Sequence, residues 1–167
     1  MVRTFVAGEV ETAAYLNSLS SAVAFTMNPP HGKMWATSVG PPMTAGTNTT
    51  VTQGGAAVTG GFTYNANVLT VPTSGVYLLT AQIRTHVPAT SITKTIILLN
   101  GTVLAQSIAN NTGSYSIDTT QPVSLLQVLN PGDTLTLQGF CQAGSATVYG
   151  DATGTDTFIF AQWLSAA

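Results

Sequence analysis

Few side chains in this chain of 167 residues are of types that carry out catalysis. Cys141, His31 and His86 are the candidate nucleophile and bases, and hydrolysis would need a nucleophile beside a base, or paired acids. His31 lies in a Pro-Pro-His-Gly segment typical of a turn, and His86 lies at the predicted end of a strand. Neither histidine shares a motif with a cysteine or a carboxylate, so a zinc site is not predicted. We interpret Cys141 as a small buried hydrophobe and expect no enzymatic activity.

The acidic residues suggest turns and not a metal site. Asp151 and Asp156 flank Gly154 in a polar loop, but a calcium loop would need more carboxylates at regular spacing. Side-chain capping of a turn by the aspartate is the better interpretation, and Asp133 fits the same interpretation. No cofactor is therefore predicted.

The chain is unusually poor in charge. Only 6% of its residues are charged, and it has four cations, against 44% hydrophobic residues. Phosphate contacts need several Lys or Arg side chains, so nucleic-acid binding is not expected. No apolar run approaches the roughly 20 residues of a membrane span. So little surface charge suggests a protein that works within an assembly, where other protein covers much of its surface.

The N-terminal part has the only stretch with helical spacing. Leu16, Leu19 and Val23 fall at positions i, i+3 and i+7, Thr12 is a plausible N-cap, and Pro29 ends the helix. A helix of about a dozen residues is marginal alone in water, so it needs a surface to pack on. We predict an anchoring segment over residues 1–33 and a head domain over residues 34–167. The predicted docking residues of the anchor are Phe5, Tyr15, Leu16, Leu19, Val23 and Phe25.

The head is organised around two predicted strands, 68–71 and 76–83. Pro72 ends the first strand because it lacks an N–H donor, and Gly75 can close the turn. The nearly continuous apolar run of the second is typical of a strand deep in a two-sheet core. Asn100-Gly101 between two apolar runs predicts a hairpin. The other predicted strands are 34–39, 50–52, 56–59, 93–99, 103–108, 114–117, 122–129, 134–138, 146–149 and 157–164. Many short strands with even turn spacing predict an all-β sandwich or jelly roll.

Several motifs of the head resemble the jelly roll of the tumour necrosis factor and complement globular-head superfamily. They are Phe62-x-Tyr64, Val71-Pro-x-x-Gly-Val-Tyr77, the Asn100-Gly101 hairpin, Leu129-x-Pro-Gly-Asp133 and an aromatic last strand. The resemblance spans about residues 34–164 and implies a compact homotrimer. Its final strand departs from the family, which commonly closes with Phe-Gly or Phe-Ser-Gly where this chain has Phe160-Ala-Gln-Trp163. The aromatic residues assigned to the core or the threefold interface are Tyr77, Phe140, Phe158, Phe160 and Trp163.

The N-terminal segment carries a second resemblance. Residues 4–17, followed by Phe25 and Pro29-Pro30, are similar to the start of minor tail proteins of tailed bacteriophages of actinobacteria. This resemblance implies a non-enzymatic virion protein, assembled in the host cytoplasm, whose N-terminal segment docks on other phage structural proteins. The trimeric head would cap the assembly or contact the host surface.

Two other roles fit the same sequence. A capsid decoration or head-fibre protein would share the layout of anchor and head. A carbohydrate-binding module for receptor recognition is the second, with host cell-wall glycan as its candidate partner and Tyr115 as a candidate exposed aromatic. Three copies of each loop in a trimer would strengthen weak contacts with a repetitive glycan.

Overall fold

A computed structural model describes residues 13–167. One helix, α1 (Ala13–Met27), precedes the strands and ends where predicted, just before Pro29-Pro30. Within residues 13–167, no helix is long and apolar enough to cross a membrane. The strands are β1 (His31–Trp35), β2 (Met43–Thr44), β3 (Asn48–Thr50), β4 (Gly55–Val58), β5 (Thr63–Asn65), β6 (Val68–Thr70), β7 (Gly75–Val87), β8 (Ser91–Leu99), β9 (Thr102–Asn111), β10 (Ile117–Leu129), β11 (Thr134–Cys141), β12 (Ser145–Tyr149) and β13 (Phe158–Ser165).

The strands form two antiparallel sheets that pack face to face as a jelly-roll sandwich. The first sheet is built on β7, with β10 along one side and β13 and β12 along the other, and it continues through β1 to β4. In the second sheet, β8 lies between β9 and β11, and β11 continues to β6 and β5. The predicted all-β jelly roll preceded by a short helix is therefore confirmed.

The core lies between the sheets and is made by alternate residues of each strand. On β7, Tyr77, Leu79, Ala81 and Ile83 point inward and are fully buried. Their neighbours in sequence face outward and are half-buried. β7 is thus central in its sheet, as predicted, but its apolar run divides into a core face and an outward face because side chains alternate across a strand.

The Asn100-Gly101 hairpin is also confirmed. Asn100 and Gly101 have φ angles of 52° and 79°, as a two-residue turn of this type requires. Two local predictions differ from the structure. The first strand is His31–Trp35 and not residues 34–39, so the proposed boundary between residues 33 and 34 falls within β1. His31 is therefore a strand residue and not a turn residue.

Candidate functional site

Five exposed apolar side chains lie on β9 and β10, which are the adjoining edge strands of the two sheets. Leu126 is 63% exposed, and its neighbours on these two strands are between 45% and 57% exposed. We call this set the edge surface: Val103, Ile108, Ile117, Leu126 and Val128. Large apolar groups left in water favour contact with another protein surface.

A second apolar region covers the outward face of the first sheet. Trp35 lies opposite Phe158, and Lys33 lies opposite Phe160, so these side chains share one face. Lys33 places its ammonium 4.7 Å from the centre of the Phe158 ring and 5.8 Å from that of Trp35. The three aromatic residues, all half-buried, form what we call the aromatic face. On the same outward face, Leu78 of β7 lies between Gln162 of β13 and Leu126 of β10.

A charged cluster borders the aromatic face. Arg84 donates from Nη1 to both carboxylate oxygens of Asp156 at 3.1 Å, and its Nη2 lies 3.9 Å from the Asp118 carboxylate. His86 Nδ1 lies 2.7 Å from the other Asp118 oxygen. Sequence reasoning missed this pairing of His86 with a carboxylate because it arises only from the register of β10 against β7. The half-exposed side chains are partners to one another and leave no free base beside a nucleophile.

Two of the other three predicted aromatic residues, Tyr77 and Phe140, lie in different places. Tyr77 is in the core, where its hydroxyl donates to the Thr73 carbonyl at 2.8 Å. Burial raises the pKa of Tyr77 to about 12. Phe140 is half-buried on the outward face of the second sheet, with the ammonium of Lys94 5.1 Å from its ring centre. Phe140 therefore belongs neither to the core nor to the aromatic face.

The structure describes only some of the predicted docking residues of the anchoring segment. Leu16, Leu19 and Val23 are each about half-exposed. Phe25 is half-buried and packs edge-on against Trp163, with ring centroids 4.6 Å apart. Phe5 and the side chain of Tyr15 lie outside the described residues.

The candidate catalytic residues are far apart in the fold. His31 is on β1, and its Nδ1 lies 3.0 Å from the Thr59 hydroxyl. His86 lies near the C-terminal end of β7. Cys141 is fully buried, as predicted, and its thiol lies 3.5 Å from the Ser91 hydroxyl. Within residues 13–167, no three side chains of His, Cys, Asp or Glu are grouped so that they could hold a metal ion.

The polar loop 150–156 is a turn capped by Asp151, as predicted. The Asp151 carboxylate accepts hydrogen bonds from the backbone amides of Thr153, Thr155 and Asp156 at 2.6 to 3.0 Å. The hydroxyls of Thr153 and Thr155 donate to it as well. These donors hold the pKa of Asp151 well below its usual range.

Comparison with solved structures identifies the fold. A structure of Eiger TNF from S. frugiperda aligns with a TM-score of 0.60 and 16% identity, covering 82% of this chain and 93% of that one. Murine APRIL at pH 5.0 aligns with the same score and identity, covering 81% and 98%. No family model matches the chain, and no curated protein matches it. The chain thus has a jelly-roll fold of the tumour necrosis factor type.

Proposed function

We propose that this protein is a non-enzymatic structural protein of a bacteriophage virion whose head assembles as a homotrimer. The edge surface carries the proposal of self-association. The edge surface of one copy can contact the aromatic face of a second copy. A contact between two different surfaces closes into a ring when the rotation between subunits is right, and three copies make the smallest ring beyond a dimer.

Three further observations support the assembly. The chain has a jelly-roll fold of the tumour necrosis factor type, and the resemblance of its motifs to that superfamily implies a homotrimer. Leu78 on β7 lies opposite Leu126 on β10, so the edge surface borders the outward face of the first sheet. Charge is sparse, and the Arg84 and His86 side chains on this face are paired with carboxylates. Lys33 on the same face has its ammonium over the Phe158 ring, so burying the face also takes that charge out of water.

The virion role is supported by the N-terminal resemblance to phage minor tail proteins. In this proposal the segment 1–33 docks on other phage structural proteins through its apolar residues. Half-exposed Leu16 and Leu19 on an uncharged helix are available for such a contact. The head then caps the tail or meets the host surface.

Two measurements test the proposal. Light scattering of the full chain should give about 52 kDa, three times the 17.2 kDa of one chain. A mass of 17.2 kDa at micromolar concentration would refute the trimer. Antibody labelling of purified virions should mark the tail. Label on the capsid shell alone would replace the tail role with capsid decoration, and unlabelled virions would refute the virion role.

A further inference from the structure

Tyr115 is the most exposed large apolar side chain among the described residues. Its side chain is 82% exposed, although a tyrosine that serves packing alone would be covered. It lies in the loop 112–116 between β9 and β10, a segment for which a strand over 114–117 was predicted. That prediction was wrong, because this segment is a loop held by contacts at its base.

A buried asparagine fixes the loop. Asn111 is only 4% exposed, and its Nδ2 donates to the carbonyls of Tyr115 at 2.8 Å and Pro88 at 3.0 Å. Its Oδ1 accepts from the Gly113 amide at 3.0 Å. The Thr90 amide donates to the Gly113 carbonyl at 3.1 Å, which ties the neighbouring loop to this one. A ring presented on such a base loses little conformational entropy when it binds a ligand.

The loop lies at the end of the sandwich opposite helix α1. Phe25 meets Trp163, which pairs with Tyr77 near the start of β7. The loop leads into Ile117, which pairs with Val87 at the end of β7. Ten residues of strand separate these positions, or about 33 Å. If the N-terminal segment anchors the chain, the loop of Tyr115 lies at the end of the head away from the anchor.

The chemistry around the ring favours a neutral ligand. Thr112, Ser114 and Ser116 flank Tyr115 and are exposed, so three hydroxyls can donate and accept hydrogen bonds beside the ring. The nearest acidic group along the chain, Asp118, is already paired with His86. An exposed aromatic face among hydroxyls matches a sugar ring, which offers C–H groups on its face and hydroxyls at its rim. A phosphorylated or acidic glycan would need cations that this loop lacks.

We propose that the loop 112–116 is a contact site for a neutral cell-wall glycan, with Tyr115 stacking on a sugar ring. The inference deepens the proposed contact with the host surface and rests on that part of the proposed function. A single stacking contact is weak, but three copies in a trimer engage a repetitive polysaccharide together. A negative result in the binding test would refute the glycan contact and leave the proposed trimer unaffected.

The test is binding of the full-length chain to two probes. One is an immobilised array of neutral oligosaccharides, and the other is a bacterial cell-wall polysaccharide fraction treated with protease. We expect the unaltered chain to bind at least one probe. Tyr115→Ala should weaken that binding about tenfold or more, whereas Tyr115→Phe should retain it because the ring remains. Val58→Ala, an exposed apolar residue on β4, is the matched control and should bind normally.

Several outcomes would overturn the inference. They are no binding to either probe and equal binding by Tyr115→Ala. The solution mass of Tyr115→Ala must also equal that of the unaltered chain. A lower mass would place Tyr115 in the interface between copies and refute its assignment to a glycan.

Discussion

The ring of Phe25 packs edge-on against the indole of Trp163, and this contact joins the helix to the last strand of the head. Trp163 is itself held in place by two hydrogen bonds. Its Nε1 donates to the Ser74 carbonyl at 3.2 Å, and its backbone amide donates to the Pro30 carbonyl at 2.9 Å. An anchor and a head that were assigned to separate segments therefore meet at one aromatic pair.

Replacing Phe25 should release the helix and leave the head intact. In Phe25→Ala the indole of Trp163 loses its ring partner, and a helix of 15 residues is marginal without a packing surface. We expect hydrogen exchange of the helix amides to become at least tenfold faster, while amides of β7 keep their protection. Leu19→Ala is the control, since that half-exposed side chain is on the same helix. Equal exchange in the unaltered chain and Phe25→Ala would show that the aromatic pair does not hold the helix.

Gly75→Ala should destabilise the head. A Cβ at Gly75 would overlap the indole of Trp163 and would lie 2.5 Å from the Ser165 carbonyl oxygen, so the end of β13 must shift. Overpacking of this kind costs about 1–3 kcal/mol of the free energy of unfolding. Chemical denaturation measures it. Gly40→Ala is the matched control, because its Cβ would meet only ordinary contacts at 3.9 Å, and it should change stability by less than about 0.5 kcal/mol.

Leu126→Glu should dissociate the proposed trimer without unfolding the chain. The side chain is largely exposed within one copy, so folding tolerates a charge there. In the trimer the carboxylate would be taken out of water at an apolar contact, which is costly for a charged group. Light scattering should then give the mass of one chain, with an unchanged circular dichroism spectrum. Val39→Glu, at an exposed loop position outside the edge surface, should remain trimeric. A trimeric Leu126→Glu would exclude the edge surface as the interface.

Local signals in the sequence predicted much of the fold, because they depend on neighbouring residues. Asn100-Gly101 marked its hairpin, and alternation marked β11. The misses are long-range. His31 joins β1 because it pairs with Gln162, far along the chain. His86 meets Asp118 through strand register, and the buried Asn111 shapes the loop of Tyr115. No local pattern carries such information, which is why the charged cluster and the support of the Tyr115 loop by Asn111 could not be predicted, although Tyr115 itself was a candidate exposed aromatic.

Tyr77 should make the head sensitive to alkaline pH. Burial raises the pKa of its phenol to about 12, against about 10 in the unfolded chain. A raised pKa means that the unfolded state releases its proton first. The stability that Tyr77 contributes is therefore full below pH 10 and is lost as pH rises from 10 to 12.

Tyr77→Phe separates this effect from general alkaline damage. At neutral pH the variant should be about 1 kcal/mol less stable, because the Thr73 carbonyl loses its donor. As pH rises from 10 to 12 the difference between the two proteins should shrink and then reverse, since phenylalanine has no proton to release. Urea denaturation at pH 8, 10, 11 and 12 measures the difference. A constant difference across this range would mean that the Tyr77 phenol titrates alike in the folded and unfolded chains. Burial would then not raise its pKa.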